Sequence, residues 1–149
     1  MFIVLKKVEK IDAEILLGWR NTPSIVVLGN LARKVTLEEH AAWMERILSD
    51  IEGHYFIIVK DDIKCGHVRL ELIEPKKYQI SIYMLEHFRS KGIGSVVLEL
   101  LFNSVLHDNE SIIAKVLLDN ANSQRFFEIN GFNVLDQDSK LITYVKRKA

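Results

Sequence analysis

Tyr78 to Val97, YQISIYMLEHFRSKGIGSVV, joins a strand to a helix through a short basic loop. Ile80, Ile82 and Met84 alternate with Ser81, Tyr83 and Leu85, which is strand periodicity, whereas Ile93, Val96, Val97, Leu100 and Leu101 recur at helical spacing. Between them lie Arg89, Ser90, Lys91, Gly92, Ile93 and Gly94. The glycines let the backbone turn tightly and approach a ligand, and the first N–H groups of a helix have no partner inside it. The helix dipole adds to Arg89 and Lys91, so a phosphate or pyrophosphate is the expected guest. A glycine turn flanked by two solvated cations reads the same letters equally well.

Two common phosphate motifs do not fit. The P-loop pattern GxxxxGK[ST] is absent, and a dinucleotide fingerprint GxGxxG needs a glycine where Val97 stands. The run is instead R-x-x-G-x-G after a strand, and it resembles the loop of the GCN5-related N-acetyltransferases, the GNAT family. That resemblance implies that Arg89, Ser90, Lys91, Gly92, Ile93 and Gly94 cradle the pyrophosphate of acetyl-CoA. It also implies that the preceding strand splays from its neighbour, so that Tyr83, Met84 and Leu85 hold the pantetheine arm.

A second stretch, Asn120 to Phe132, resembles the later signature of the same family, N-x-x-[SA]-x-x-[FL]-[YF]-x-x-x-G-F. Read from the residues alone, Asn120 caps a helix, Phe126 and Phe127 fill a core and Gly131 ends the helix. The resemblance implies more: Asn120 bonds the pantetheine chain, and Ser123 and Arg125 approach the cofactor. Phe127 departs from the pattern, because many relatives carry there a tyrosine that protonates the departing thiolate. Phenylalanine has no proton to give. Tyr83 is the alternative donor, and a thiol of pKa about 8.5 is a tolerable leaving group without one.

The remaining sequence is read around these two motifs. Phe2 to Val8 reads as a strand, and Asp12 as the N-cap of a short helix ending near Arg20. Asn21, Thr22 and Pro23 signal a turn, followed by a loop around Gly29 and Asn30. Thr36 and Glu39 have capping-box spacing and open a helix through Leu48, with Gly53 placed to end it. His54 to Lys60 and Cys65 to Ile73 form a hairpin turned at Asp61 and Asp62, and Tyr78 to Leu85 completes an antiparallel meander. Ser111 to Leu118, a helix from Asn120, and strands at Phe132 to Leu135 and Leu141 to Lys146 close the chain. The expected fold is α+β, a GNAT-like three-layer sandwich. Its central sheet is mostly antiparallel and twisted, with about seven strands and four helices.

With 149 residues, 48% of them hydrophobic and 27% charged, and a formal net charge of zero, residues 1–149 are expected to form one domain. Such a chain buries roughly 68–70% of its unfolded surface. Neutrality gives no pull toward nucleic acid or an acidic membrane. Cys65 is the single cysteine; no Cys/His spacing resembles a zinc site, so no metal is expected and a reducing compartment fits. MFIVLKKVEK lacks the long apolar core of a signal peptide, and no run is long enough to span a bilayer, so a cytoplasmic protein is expected. Either a monomer or a homodimer is compatible with these features.

Acetyl transfer needs a neutral amine and, where the amine arrives protonated, a base. On the strand from Cys65, His67, Arg69 and Glu71 share one face by alternation, which makes His67 and Glu71 the candidate bases; a solvated polar face reads the same pattern. His87 and Glu86 are lesser candidates. A backbone N–H near Met84 is the expected donor to the thioester carbonyl. Trp19, Arg20 and Asn21, followed by Thr36, Glu38, His40 and Trp43, resemble the sugar-nucleotide branch of the family. That branch includes enzymes acetylating a UDP-linked 4-amino sugar on the route to pseudaminic acid. The resemblance implies that Arg20, Asn21 and His40 meet the nucleotide; otherwise Arg20 caps a helix and His40 is a surface residue. A peptide N-terminal amine is the alternative acceptor, and a non-catalytic acetyl-CoA sensor the alternative class.

Overall fold

From His54 onward, runs rich in aromatic and β-branched residues are separated by tight turns, and three consecutive strands result. In the computed structural model, which describes residues 1–21 and 34–149, these are β2 (His54–Lys60), β3 (Ile63–Glu74) and β4 (Lys77–Met84). The expected turn at Thr22 and Pro23 and the loop around Gly29 and Asn30 lie outside the described residues. The other strands are β1 (Ile3–Lys7), β5 (Ser111–Leu117), β6 (Asn133–Gln137) and β7 (Leu141–Arg147). The helices described are α1 (Ala13–Arg20), α2 (Leu37–Ser49), α3 (Ile93–Leu100) and α4 (Ala121–Ile129). The α+β class holds, and the seven strands form one sheet in the order β1-β2-β3-β4-β5-β7-β6.

The described residues group into two compact units, one of Lys7–Ile51 and one of Met1–Lys6 with Glu52–Ala149. In the larger unit the β2–β3, β3–β4, β5–β7 and β6–β7 pairs are antiparallel, and the β4–β5 pair is parallel. That parallel pair is where the chain crosses over through α3. The β2–β3 hairpin turns on Asp61 and Asp62, with φ of 48° and 69°, the left-handed pair that a two-residue turn between twisted strands demands. One face of the sheet carries Val68, Leu70, Ile80 and Ile112, packed with Val97, Leu101, Phe102 and Phe127 into a continuous core.

Several boundaries depart from the sequence reading for local reasons. The β3 strand begins at Ile63 rather than Cys65, because a bulge absorbs one residue. Ile58 pairs with Gly66 and Val59 with Lys64, which leaves Cys65 as the extra residue. Its thiol is buried and meets the Ile58 carbonyl at 3.5 Å, and burial pushes its pKa up. The helix after Gly94 does not stop at Leu100 but continues as a turn of π-helix over Leu101–Val105. At the end of α4, Gly131 adopts φ 87°, while the Phe132 N–H reaches the Phe127 carbonyl at 3.0 Å and the Gly131 N–H that of Glu128 at 3.2 Å. This is the left-handed stop expected of a glycine there.

In the smaller unit, Thr36 and Glu39 form the expected capping box of α2. Asp12 sits at the start of α1, but its carboxylate reaches back to the Glu9 N–H at 2.9 Å. The cap of α2 is Asp50, with Ser49 as the last helical residue, so the helix ends before Gly53.

Gly66 faces Met84 across β3 and β4, and a Cβ built on it would overlap the Tyr83 carbonyl oxygen. Gly66→Ala must force these strands apart, and overpacking of this kind costs about 1–3 kcal/mol. The expected outcome is a lower denaturant midpoint with an unchanged slope, measured by circular dichroism.

Candidate functional site

The register of β4 decides which of its backbone groups are offered to a ligand. Leu85 donates its N–H to the Cys65 carbonyl at 2.9 Å, which continues the β3–β4 ladder beyond the Gly66–Met84 pair. Hydrogen-bonded residues alternate along an antiparallel strand. Leu85, Tyr83 and Ser81 therefore bond toward β3, while the N–H and C=O groups of Ile82 and Met84 point to the opposite edge. That edge belongs to β5, yet its pairing with β4 covers only Lys77, Tyr78 and Gln79 and ends at Gln79–Ile113. From there the two strands part. The Met84 carbonyl receives the Arg89 Nε at 2.9 Å, and the Met84 N–H and both polar groups of Ile82 look into the opening.

A cleft of about 470 Å³ lies along this opening. The β4 strand contributes Ile82 and Met84, the loop contributes Phe88, Arg89, Ser90 and Gly92, and the first turn of α3 contributes Ile93, Gly94 and Ser95. The facing wall is α4, through Asn122, Ser123, Arg125, Phe126 and Ile129. Asn122, Arg125, Phe126 and Ile129 follow helical spacing, so they form one stripe. That stripe was the signal in the sequence for Asn122 and Ile129, which the reading of motif letters passes over, as it does Ile82, Phe88 and Ser95.

The two glycines of the loop have different reasons. Gly92 has φ 80° and open space around a built Cβ, so it is required by its left-handed backbone rather than by crowding. Gly94 is required by contact, since a Cβ there would meet Phe126 at 2.9 Å. Lys91 is exposed and outside the cleft lining, and the N–H of Leu85 is committed to Cys65. Asn120 uses its side-chain oxygen to cap α4 through the Ser123 N–H at 3.2 Å. Phe126 and Phe127 part company. Phe126 faces the cleft, whereas Phe127 is buried, meeting Phe132 edge-on and stacking on Tyr144 with ring centroids 5.1 Å and 6.2 Å away.

The candidate bases occupy the other face of the sheet from the Ile82 and Met84 side chains. His67 pairs with Tyr83 and Glu71 with Gln79. The rings of Tyr55, His67 and Tyr83 follow one another across three strands with centroids 5.6 Å apart at each step. Arg89 stands over the Tyr83 ring at 5.9 Å. Glu71 is held by Arg69 at 2.7 Å.

Within the smaller unit the Trp-Arg-Asn run and the α2 residues form one cluster. His40 is not a surface residue; it is 2% exposed. One ring nitrogen lies 2.8 Å from the Ala13 carbonyl and the other 3.0 Å from the Arg20 guanidinium. A carbonyl only accepts and a guanidinium only donates, so the ring is neutral with its proton on Nε2. Burial, followed by the charge of Arg20, holds the pKa of His40 below its ordinary value against the opposing pull of the Ala13 bond. The Arg20 guanidinium stands over Trp43, 4.2 Å from the ring centroid. Asn21 spends its amide on Val35, donating to its carbonyl at 3.0 Å and accepting from its N–H at 2.7 Å.

A family model described as an acetyltransferase (GNAT) domain matches residues 3–133. The chain belongs to the GNAT acetyltransferase family. It is similar to the acetyltransferase PseH of Campylobacter jejuni, at 22% identity over 129 residues, covering 85% of this chain and 80% of that protein. The crystal structure of PseH in complex with acetyl coenzyme A superposes with a TM-score of 0.73 at 20% identity, over 99% of this chain and 100% of that one. FdhC, a nucleotide-linked sugar GNAT, gives 0.77 at 23% identity, over 98% and 86%. The spermidine N-acetyltransferase of Vibrio cholerae, with CoA and spermine, gives 0.81 at 14% identity, over 98% and 95%. The structural likenesses establish the fold.

As a GNAT enzyme this is an acetyl-CoA-dependent N-acetyltransferase, and its residues suit that donor. A backbone edge with N–H and C=O groups complements the amides of pantetheine, and the first turn of α3, opened by glycine, complements a pyrophosphate. No helix among the described residues is long and apolar enough to cross a membrane.

Gly94→Val is expected to raise the Kd for acetyl-CoA at least about tenfold, because Phe126 must swing into the cleft. Isothermal titration on the folded variant checks this. His40 gives a second expectation. Its folded pKa lies below the unfolded value of 6.5, so the unfolded chain binds the proton more readily and stability must fall as pH drops below 6.5. His40→Gln should flatten that acid-side slope in thermal melts.

Proposed function

We propose that residues 1–149 act as one domain that transfers acetyl from acetyl-CoA to the 4-amino group of a UDP-linked amino sugar, by direct attack in a ternary complex. The observation that carries this reading is Arg20, laid over Trp43 and hydrogen-bonded to the buried, neutral His40. A planar cation oriented in this way suits the diphosphate of a nucleotide, which takes two parallel N–H donors. Further support comes from the likeness to a nucleotide-linked sugar GNAT and from the Trp-Arg-Asn run itself. The family model spans both compact units, which supports a single working domain. In this reading Arg20 meets the nucleotide, His40 stands behind it and Asn21 closes the segment on Val35.

Bound acetyl-CoA supplies an acetyl group activated as a thioester. The Met84 N–H, pointing into the opening beside β4, serves as the donor to the carbonyl oxygen as negative charge develops there. The amine nitrogen forms the new C–N bond, the C–S bond breaks and the sulfur keeps the electron pair. The amine's proton passes to a base, for which His67 is the better placed candidate because Glu71 is tied to Arg69. Tyr83, beside His67 and next to Met84 in sequence, is the donor available to the departing thiolate. Phe127 lacks an acidic proton and lies in the core. Arg89, Ser90, Gly92, Ile93 and Gly94 hold the pyrophosphate together with Lys91 of the same loop, Ser123 and Arg125 approach the cofactor from the facing wall, and Asn120 meets the pantetheine chain. Leu85 fixes the β4 edge through Cys65.

Free thiol release from acetyl-CoA, followed with a UDP-amino sugar and with a peptide amine, tests the assignment. Buried Cys65 contributes little background. The sugar nucleotide is expected to turn over faster. Faster peptide acetylation would transfer the enzyme to protein substrates, and tight acetyl-CoA binding without release of thiol to any amine would make it a sensor. Arg20→Ala is expected to raise the KM for the sugar nucleotide about tenfold while leaving the KM for acetyl-CoA unchanged.

A further inference from the structure

Asn130 lies just beyond α4, at a position the second motif leaves open, and its side chain bridges the two walls of the cofactor cleft. Its amide nitrogen is 2.8 Å from the Phe126 carbonyl and 3.1 Å from the Ser95 hydroxyl. The Phe126 carbonyl is an acceptor only, so it fixes which end of the amide is the nitrogen. One amide proton therefore goes to Phe126, a carbonyl at the end of α4 where helical partners run out. The other goes to the Ser95 oxygen. Ser95 belongs to the first turn of α3 and lines the cleft, one residue after the Gly94 that Phe126 packs against. The Asn130 backbone is itself anchored, because its carbonyl accepts from Lys146 Nζ at 2.9 Å.

A hydroxyl has one proton to give and lone pairs with which to accept. Once its oxygen accepts from Asn130, its proton is left for a different acceptor, and among the described residues no protein group takes it. We propose that Asn130 is a positioning residue that sets the Ser95 hydroxyl as a hydrogen-bond donor to a phosphate oxygen of acetyl-CoA. Ser95 is thus a further cofactor-binding residue beyond the loop that precedes it. The inference rests on the acetyl-CoA reading of this cleft. It assigns to the end of α4 a task at the start of α3, which the local roles of helix cap and helix opening do not require.

The experiment measures the Kd for acetyl-CoA by isothermal titration, and steady-state kinetics with a fixed amine, for Ser95→Ala, Asn130→Ala, the double variant and Asn130→Asp. Hydrogen bonds to a charged group are strong enough that Ser95→Ala should weaken acetyl-CoA about tenfold. Its KM for the amine and its kcat should stay as they are. Asn130→Ala should show a similar loss, and the double variant no more than either alone, since the pair acts as a unit. Asn130→Asp is the sharpest arm. A carboxylate can only accept, so it draws the Ser95 proton toward itself and away from the ligand, and its loss should exceed that of Asn130→Ala. Ser95→Ala binding acetyl-CoA as the parent does would overturn the proposal, as would additive losses in the double variant or equal losses for the two Asn130 variants. Thermal melts run alongside separate folding from binding, and Ser95→Ala keeps the test alive if the Asn130 variants do not fold. Gly94→Val distinguishes the two levels: if it too leaves acetyl-CoA binding unchanged, the cleft reading fails; if it weakens binding while Ser95→Ala does not, only the present inference fails.

Discussion

Everything at the proposed donor site depends on the place where β4 and β5 stop pairing. Backbone N–H and C=O groups are obligatory hydrogen-bonding groups, and a sheet normally satisfies them between neighbours. Here the parallel ladder ends at Gln79–Ile113 while β4 continues to Met84. The Met84 N–H and the polar groups of Ile82 are held rigid on their other side by β3, with the Cys65 carbonyl fixing Leu85 at 2.9 Å. Around this opening the rest of the larger unit is arranged. The bulge at Cys65 and the glycine at position 66 allow β3 to stay close to β4, and α3 and α4 supply the two walls.

Much of this was legible in the letters. The alternation of Ile80, Ile82 and Met84, the glycines at 92 and 94, and the asparagine and glycine bracketing α4 each state a local geometry that the fold adopts. What sequence could not carry was the relation between segments. Gly94 looked like a position kept small for a ligand, and its immediate neighbour proves to be Phe126. Phe126 and Phe127 are adjacent letters of one type, yet one lines a cleft and the other fills the core, because a helix turns about 100° between them. The β3 bulge was invisible because it depends on which residue of β2 pairs with Gly66, a choice made across the hairpin rather than along it.

His40 shows the same limit from the other side. In the sequence it is a polar residue in the first turn of a capped helix, where exposure is the ordinary expectation. It is buried because both ring nitrogens find partners, the Ala13 carbonyl and Arg20, so the usual penalty for a buried imidazole is offset. The spacing of Arg20, His40 and Trp43 then has a physical meaning of its own: the histidine and the indole together restrict a side chain that would otherwise sample many rotamers. A flexible cation loses entropy on meeting an anion, and much less if it is already held.

The open edge of β4 also bears on how such an enzyme changes over time. Main-chain groups are present whatever the side chain, so replacing Ile82 or Met84 with another strand-forming residue alters the lining of the cleft and leaves its N–H and C=O positions where they were. Recognition of the donor is thereby insulated from most point mutation. In the proposed function Arg20, Trp43 and His40 are the reverse case, a recognition element written in side chains, where single substitutions rewrite what is recognised. A scaffold divided in this way can exchange one amine for another while its acetyl source stays fixed.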